Sequence, residues 1–252
     1  MLNIVIPMAG AGSRFSKAGY RDPKPLIPIH GIPMIQVVIE NLKPDASHRF
    51  IFICQKEHVK AYGLADKFKK WAPDSVLIEL EGITEGAACT VLAAQSLINS
   101  DEPLMIANSD QYVDADIDRY LDKIAADKLD GLIMTMKASD PKWSFAGMGA
   151  DDLVTHVVEK EAISDEATVG IYNFKRGCDF VAGVKEMIRR DERVNGEFYV
   201  APVYNQLISD GQKIGVFNIG SEGKGMYGLG IPNDLNYFLE NPISQRVIAS
   251  CK

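Results

Sequence analysis

The sequence predicts an α/β protein, a three-layer αβα arrangement around a mixed, mostly parallel sheet. Three observations predict it. Short apolar, β-branched runs alternate with stretches of helical period through the first half of the chain. Several of these runs end in glycine-rich or polar loops, as strands do at one rim of a doubly wound sheet. With 252 residues, 46% of them hydrophobic, the chain is long enough for a sizeable core.

The elements follow in order. LNIVIP is short, continuous and β-branched, which predicts a buried strand. PMIQVVIENL has helical spacing, with Pro33 at a first helical position. RFIFIC is the next strand, and KEHVKAYGLADKFKKW a helix broken near Gly63. Strand SVLIEL, helix GAACTVLAAQSLI and strand PLMIANSD come next, the last ending in polar residues. DIDRYLDKIAA is an amphipathic helix, capped from Asp114 or Asp116, and DGLIMTMKA a strand. The βα alternation to this point argues for a mainly parallel sheet with helices on both faces.

The second half differs. KWSFAGMGADDLVTHVVEKE and EATVGIYNF predict strands in close succession, with a turn at residues 150–152. Helices are expected at GCDFVAGVKEMIRR and FYVAPVYNQLISDG, then a strand KIGVFNI and closing helices PNDLNYFLEN and ISQRVIAS. The strand-end rule gathers residues 9–14, 82–88 and 108–114 on one rim.

Composition excludes several classes. A net charge of −7 argues against a protein that coats nucleic acid. Cys54, Cys89, Cys178 and Cys251 form no CxxC, so free thiols and a cytoplasmic location are expected. No stretch approaches the roughly 20 apolar residues that span a bilayer, so no membrane insertion is expected. His30, His48, His58 and His156 show no metal-type spacing, and no GxSxG elbow occurs.

Against this acidic background the N-terminal stretch PMAGAGSRFSKAGYRDPKPL is locally basic. Gly10 and Gly12 allow close backbone approach to a ligand, and the exposed N–H groups of such a loop make an anion nest. Arg14 adds a planar fork for two phosphate oxygens. Lys24 stands between Pro23 and Pro25, which restricts its backbone. The same loop also reads as a tight turn. It matches neither the Walker pattern GxxxxGK[ST] nor the dinucleotide fingerprint, and a proline-bearing stretch stands where a helix would start.

The combination G-x-G-x-R followed by P-K-P-L strongly resembles the N-terminal signature of the sugar-phosphate nucleotidyltransferases. The resemblance runs through most of the chain and is densest in the first 35 residues. It implies the Rossmann-like nucleotide-diphosphosugar transferase fold. It also implies a single domain over 1–252, with a nucleotide-binding half at 1–137 and an acceptor-binding half at 138–252. A nucleoside triphosphate would be held by Ala9, Gly10, Gly12 and Ser13, and by Glu85, Gly86 and Ala87 of TEGAACTVLAA. Arg14 and Lys24 would be catalytic, on the phosphates, and Asp110 of ANSDQYVD would bind Mg2+. A strand-end carboxylate suits a hard cation, though it also suits a helix cap.

For the acceptor, the resemblance implies Glu159 and Lys160 of VVEKE, Gly170 of ATVGIYNF, and Glu197 and Tyr199 of NGEFYVAPVYN. Taken alone, Glu159 and Lys160 also read as a solvated face, and Glu197 as a helix N-terminal carboxylate. One departure stands out. MYGLGIPNDL resembles the family's D-x-G-T-P-x-D stretch, but Gly228 occupies the place of its second metal-binding aspartate.

The implied reaction needs no protein nucleophile. A phosphate monoester is largely a dianion at neutral pH and can attack an α-phosphorus directly, expelling pyrophosphate. The expected substrates are a pyrimidine nucleoside triphosphate and a phosphate-monoester acceptor. The acceptor is a sugar 1-phosphate, phosphocholine or a phosphorylated amide, activated for surface polysaccharide such as a capsule. A nucleotide-sugar-dependent glycosyltransferase and a non-catalytic nucleotide sensor are the alternatives. An oligomer is compatible with the sequence.

Overall fold

The computed structural model describes residues 1–10 and 12–251. Strand β1 (Leu2–Pro7) leads through helix α1 (Ser13–Lys17) and a 3-10 turn (Lys24–Leu26) to a small hairpin, β2 (Pro28–Ile29) and β3 (Ile32–Pro33), then α2 (Met34–Leu42). Next come β4 (His48–Gln55), α3 (Lys56–Tyr62), α4 (Leu64–Trp71), β5 (Val76–Leu80), α5 (Ala87–Leu92), α6 (Gln95–Ile98), β6 (Leu104–Ala107) and β7 (Gln111–Val113). They are followed by α7 (Ile117–Ala126), β8 (Gly131–Lys137), β9 (Ser144–Met148), β10 (Val154–Glu159), β11 (Glu166–Phe174) and α8 (Gly177–Arg189). The last elements are α9 (Tyr204–Ser209), β12 (Ile214–Glu222), β13 (Gly225–Gly228), α10 (Pro232–Glu240) and α11 (Pro242–Ser250).

Eleven strands make one sheet in the order β5-β4-β1-β6-β11-β8-β12-β13-β7, with β9 pairing β11 and β10 pairing β9. Strands β5, β4, β1 and β6 are mutually parallel, as are β8, β12 and β13. Strand β11 runs antiparallel to both β6 and β8, so it joins the two parallel blocks. The sheet is thus mixed and mostly parallel, as the βα alternation predicts.

Alternation along β1 divides the core. Ile4 and Ile6 join Ile35, Val38, Phe68 and Tyr120 of α2, α4 and α7 on one face. Val5 joins Val91, Ile98, Phe180, Val184 and Tyr204 of α5, α6, α8 and α9 on the other. This gives the three layers. A third cluster packs Phe15, Ile27 and Met34 against Leu229, Leu235 and Phe238. It holds the N-terminal loop against α10, nearly the whole chain length away in sequence.

Several local expectations need correction. A short helix, α1, does start at Ser13, because Phe15 (1% exposed) anchors it in the third cluster. Pro33 caps α2 rather than opening it, since the backbone stays extended there to complete the hairpin. The helix expected over residues 86–98 divides at Ala93–Ala94, whose N–H groups bond Thr90 and Val91 in tighter i−3 turns. Residues 198–200 are not helical. The Phe198 N–H is taken by the Glu85 carbonyl, 2.8 Å away, and Val194 and Glu197 form a bridge just before it. Asp116, not Asp114, caps α7, accepting from the Arg119 N–H at 3.0 Å.

Buried Glu166 ties three strands together. Thr135 Oγ1 and Asn218 Nδ2 donate to its Oε2 at 2.6 and 2.9 Å, and Lys137 Nζ lies 2.7 Å from Oε1. Burial by itself would raise its carboxyl, but these three partners outweigh it and hold it below the usual 4.5. A depressed folded-state value gives stability that is present above the unfolded value and lost as pH falls through the folded one. The urea midpoint is therefore expected to drop on acidification below about pH 4.5, and Glu166→Gln to show a shallower drop over the same range.

Candidate active site

A cleft of about 540 Å3 opens on the rim where the sequence places its loops. Arg14, Lys24, Ala87, Asn108, Asp110 and Gln111 line it together with Glu159, Lys160, Gly170, Glu197 and Tyr199. Residues more than 180 positions apart in the chain thus share one cleft. Ala9, Gly10, Gly12, Ser13, Glu85 and Gly86 do not line the cleft. The Ala9 carbonyl accepts from Gln55 Nε2 at 2.6 Å, and a Cβ on Gly12 would sit 3.6 Å from the Lys24 Cβ, so Gly12 lies against a cleft residue. Gly10 and Ser13 are exposed.

Lys24 begins the 3-10 turn, between extended Pro23 and Pro25. Its Nζ donates to Asp110 Oδ2 at 2.7 Å, so a cation and a carboxylate occupy the same point of the rim. Asp110 follows β6, and its carbonyl accepts from the Leu229 N–H at 2.8 Å, which ties it to the loop after β13.

Elsewhere in the lining, Glu159 is buried (8% exposed) at the end of β10. Ser144 Oγ donates to its Oε2, and Lys160 Nζ lies 3.4 Å from its Oε1. Lys160 also donates to the Tyr199 hydroxyl, with its Nζ 4.1 Å from that ring's centre. Burial pulls the Lys160 ammonium down, but Tyr199 and Glu159 outweigh it and hold its pKa above the usual 10.5. It stays charged through the neutral range. Glu197 is exposed, in the turn bridged to Val194 rather than on a helix, so the dipole explanation for its carboxylate is removed.

Two glycines fix the walls. Gly170 has φ +81°, and a Cβ there would lie 2.2 Å from Asn108 Nδ2. The register of β11 against β8 shifts between Thr168 and Tyr172, which turns this segment into the cleft. Gly86 has φ +127°, and a Cβ there would lie 2.4 Å from the Phe198 carbonyl oxygen. That carbonyl also accepts from the Ala88 N–H at 3.1 Å. The loop before α5 and the segment carrying Glu197 and Tyr199 are therefore joined backbone to backbone. Gly86→Ala is expected to cost about 2 kcal/mol, or roughly 4–8 °C in Tm by differential scanning calorimetry, and to lower activity through this joint.

Asp234 is a site residue that sequence reasoning passed over. It lies in the first turn of α10 and lines the cleft together with Gly228, Gly230 and Arg14. Burial and the nearby Glu222 and Asp110 carboxylates raise its carboxyl against the pull of Lys142 and Arg14. The available signal was its place in GIPND, six positions after Gly228, where a strand-to-helix turn brings the chain back to the same rim. Asn108 and Gln111 fall within the rim segment expected at 108–114, and the pairing of β6, β7 and β11 sets which of its side chains line the cleft.

The cleft of this α/β protein gathers four cationic side chains and four carboxylates at the strand-end rim. Comparison makes the class definite. The nucleotidyl transferase family matches residues 4–213. The bifunctional protein GlmU of Methanococcus maripaludis strain S2 is 26% identical, over 97% of this chain and 56% of that protein. The chain spans about half the length of the curated relatives it matches. The crystal structure of a nucleoside-diphosphate-sugar pyrophosphorylase from Vibrio cholerae RC9 is 29% identical, with a TM-score of 0.78, over 94% of this chain and all of that one. An inositol-1-phosphate CTP transferase from T. maritima shares the fold, with 14% identity and a TM-score of 0.74 over 99% of this chain and 96% of that one. The chain belongs to the nucleotidyl transferase family, and its enzyme class is nucleotidyltransferase. Gly228 lies beyond the matched residues, and the structure sets Asp234 beside it.

Proposed function

We propose that this protein transfers a nucleoside monophosphate from a pyrimidine nucleoside triphosphate to a sugar 1-phosphate and releases pyrophosphate. One observation carries the reading: Arg14, Lys24 and Lys160 line a single cleft, so two phosphate groups can be held in one site. Dianions repel, and fixed cations overcome that repulsion at the reacting distance. In this reading residues 1–137 hold the triphosphate and residues 138–252 the acceptor.

Arg14, exposed at the cleft, takes the leaving pyrophosphate, and Lys24 the α-phosphate. Lys160 anchors the attacking phosphate, and Glu159, fixed by Ser144, orients Lys160. Glu197 at the mouth accepts hydrogen bonds from acceptor hydroxyls. No proton has to move, because the attacking monoester is already a dianion. The rim suits magnesium. Asp110 is a hard oxygen donor there, and substrate phosphates and water would supply the remaining ligands. Asp110 would hold the ion, which when bound neutralises triphosphate charge.

The sugar 1-phosphate reading draws support from the pyrophosphorylase of Vibrio cholerae, and the product would be an activated precursor for surface polysaccharide. Among the described residues no helix is long and apolar enough to cross a membrane. The test is pyrophosphate release with magnesium, each of five nucleoside triphosphates, and a panel of hexose 1-phosphates, phosphocholine and phosphorylated amides. Acceptor-dependent release with a pyrimidine triphosphate and a hexose 1-phosphate is expected. Release with another acceptor class would revise the substrate. Nucleotide binding without release from any pair would overturn the reading.

A further inference from the structure

We propose that Asp234 is the second protein carboxylate of the divalent-cation site, standing in for the side chain that Gly228 lacks. The proposal rests on the function proposed above. A Cβ built on Gly228 would lie 3.2 Å from Asp234 Oδ2 and 3.8 Å from its Cγ. The volume that a longer side chain at 228 would enter is therefore filled by the Asp234 carboxylate. Two residues on, a Cβ on Gly230 would lie 2.6 Å from Asp110 Oδ2. The loop after β13 thus presents a bare backbone cradle, with one carboxylate laid against each glycine.

Asp110 and Asp234 reach this cradle from different parts of the fold. Asp110 comes from the loop between β6 and β7, and Asp234 from the first turn of α10. Backbone pairing makes the approach definite: Gly228 pairs with Gln111, the residue after Asp110, and the Leu229 N–H donates to the Asp110 carbonyl at 2.8 Å. The third apolar cluster holds α10 there through Leu235 and Phe238. Asp110 already accepts from Lys24 at 2.7 Å, whereas among the described residues Asp234 has no hydrogen-bond or ion-pair partner within its own chain. Two carboxylates with phosphate oxygens and waters make an oxygen-only set, which suits a small hard cation. A carboxylate at the third position of a helix also interacts with the helix dipole, but that role predicts no change in metal affinity.

The test is Mn2+ binding to the full chain, followed by electron paramagnetic resonance of free Mn2+, with saturating nucleoside triphosphate of the base that supports turnover. Asp234→Asn is expected to raise the Mn2+ Kd at least about 10-fold, as loss of groups in a metal site typically does. Adding Gly228→Asp to Asp234→Ala, which vacates that volume, should bring the Kd back toward wild type, which a purely structural role for Asp234 would not allow. If Asp234→Asn unfolds early, Asp234→Ser, which keeps a polar residue in the first turn, gives the same reading. An unchanged Kd in a folded Asp234 variant, with Asp110→Asn weakened, overturns this inference and leaves the proposed function intact. No Mn2+ binding and no pyrophosphate release by the wild-type chain would overturn both.

Discussion

Lys24→Ala is expected to lower kcat by on the order of 10²-fold or more, with little change in KM for the acceptor. The lysine is held by its neighbours: Pro23 is extended before it, Pro25 follows it inside a 3-10 turn, and its Nζ lies 2.7 Å from Asp110. A cation fixed in this way needs no reorganisation when charge builds on the α-phosphate, and its stabilisation falls on the transition state more than on bound substrate. Steady-state pyrophosphate release with each substrate varied in turn reads the split. A variant with nearly full turnover would remove Lys24 from the chemistry.

Lys160→Ala should act elsewhere in the cycle. It is expected to raise the acceptor KM by roughly 10–10²-fold, the worth of one hydrogen bond to a charged group, and to leave the nucleotide KM nearly unchanged. Its backbone sits in the left-handed region at φ 60°, with its N–H on the Trp143 carbonyl at 3.0 Å, so the side chain leaves β10 toward the cleft. Because Tyr199 and Glu159 hold the ammonium above its usual pKa, acceptor affinity should stay level as pH rises from neutral toward about 9. A parallel loss of nucleotide affinity would show that Lys160 serves the wrong substrate.

These two lysines show what a linear sequence reveals. Lys24 lies in a local signature, G-x-G-x-R and P-K-P-L, so its candidate role was proposed from neighbours within 15 positions. The long elements were readable for a similar reason. The β-branched run of β1 and the break at Gly63, which adopts φ 60°, are local patterns that local physics enforces. Strands β7 and β13, of three and four residues, are too short to carry a period and exist because they pair with each other. Residues 198–200 have helical neighbours but spend the Phe198 N–H on Glu85, more than 100 positions earlier. Asp234 reads as an ordinary helix-start residue until Gly228 is set beside it. What escaped the sequence depends on contacts between distant segments.

The backbone joint between Gly86–Ala88 and Phe198 has a consequence for redesign. The spacing between the two halves of the cleft depends there on peptide groups, and side-chain replacement leaves peptide groups in place. Under the proposed function, library mutagenesis at Glu197, on the same segment, can therefore sample new acceptor preferences with this spacing preserved, while Tyr199 is kept because it holds Lys160. Random insertion or deletion within residues 84–88 or 196–200 would shift that spacing itself and yield inactive clones across every acceptor. Substitutions and indels in these segments should thus separate into distinct phenotypes.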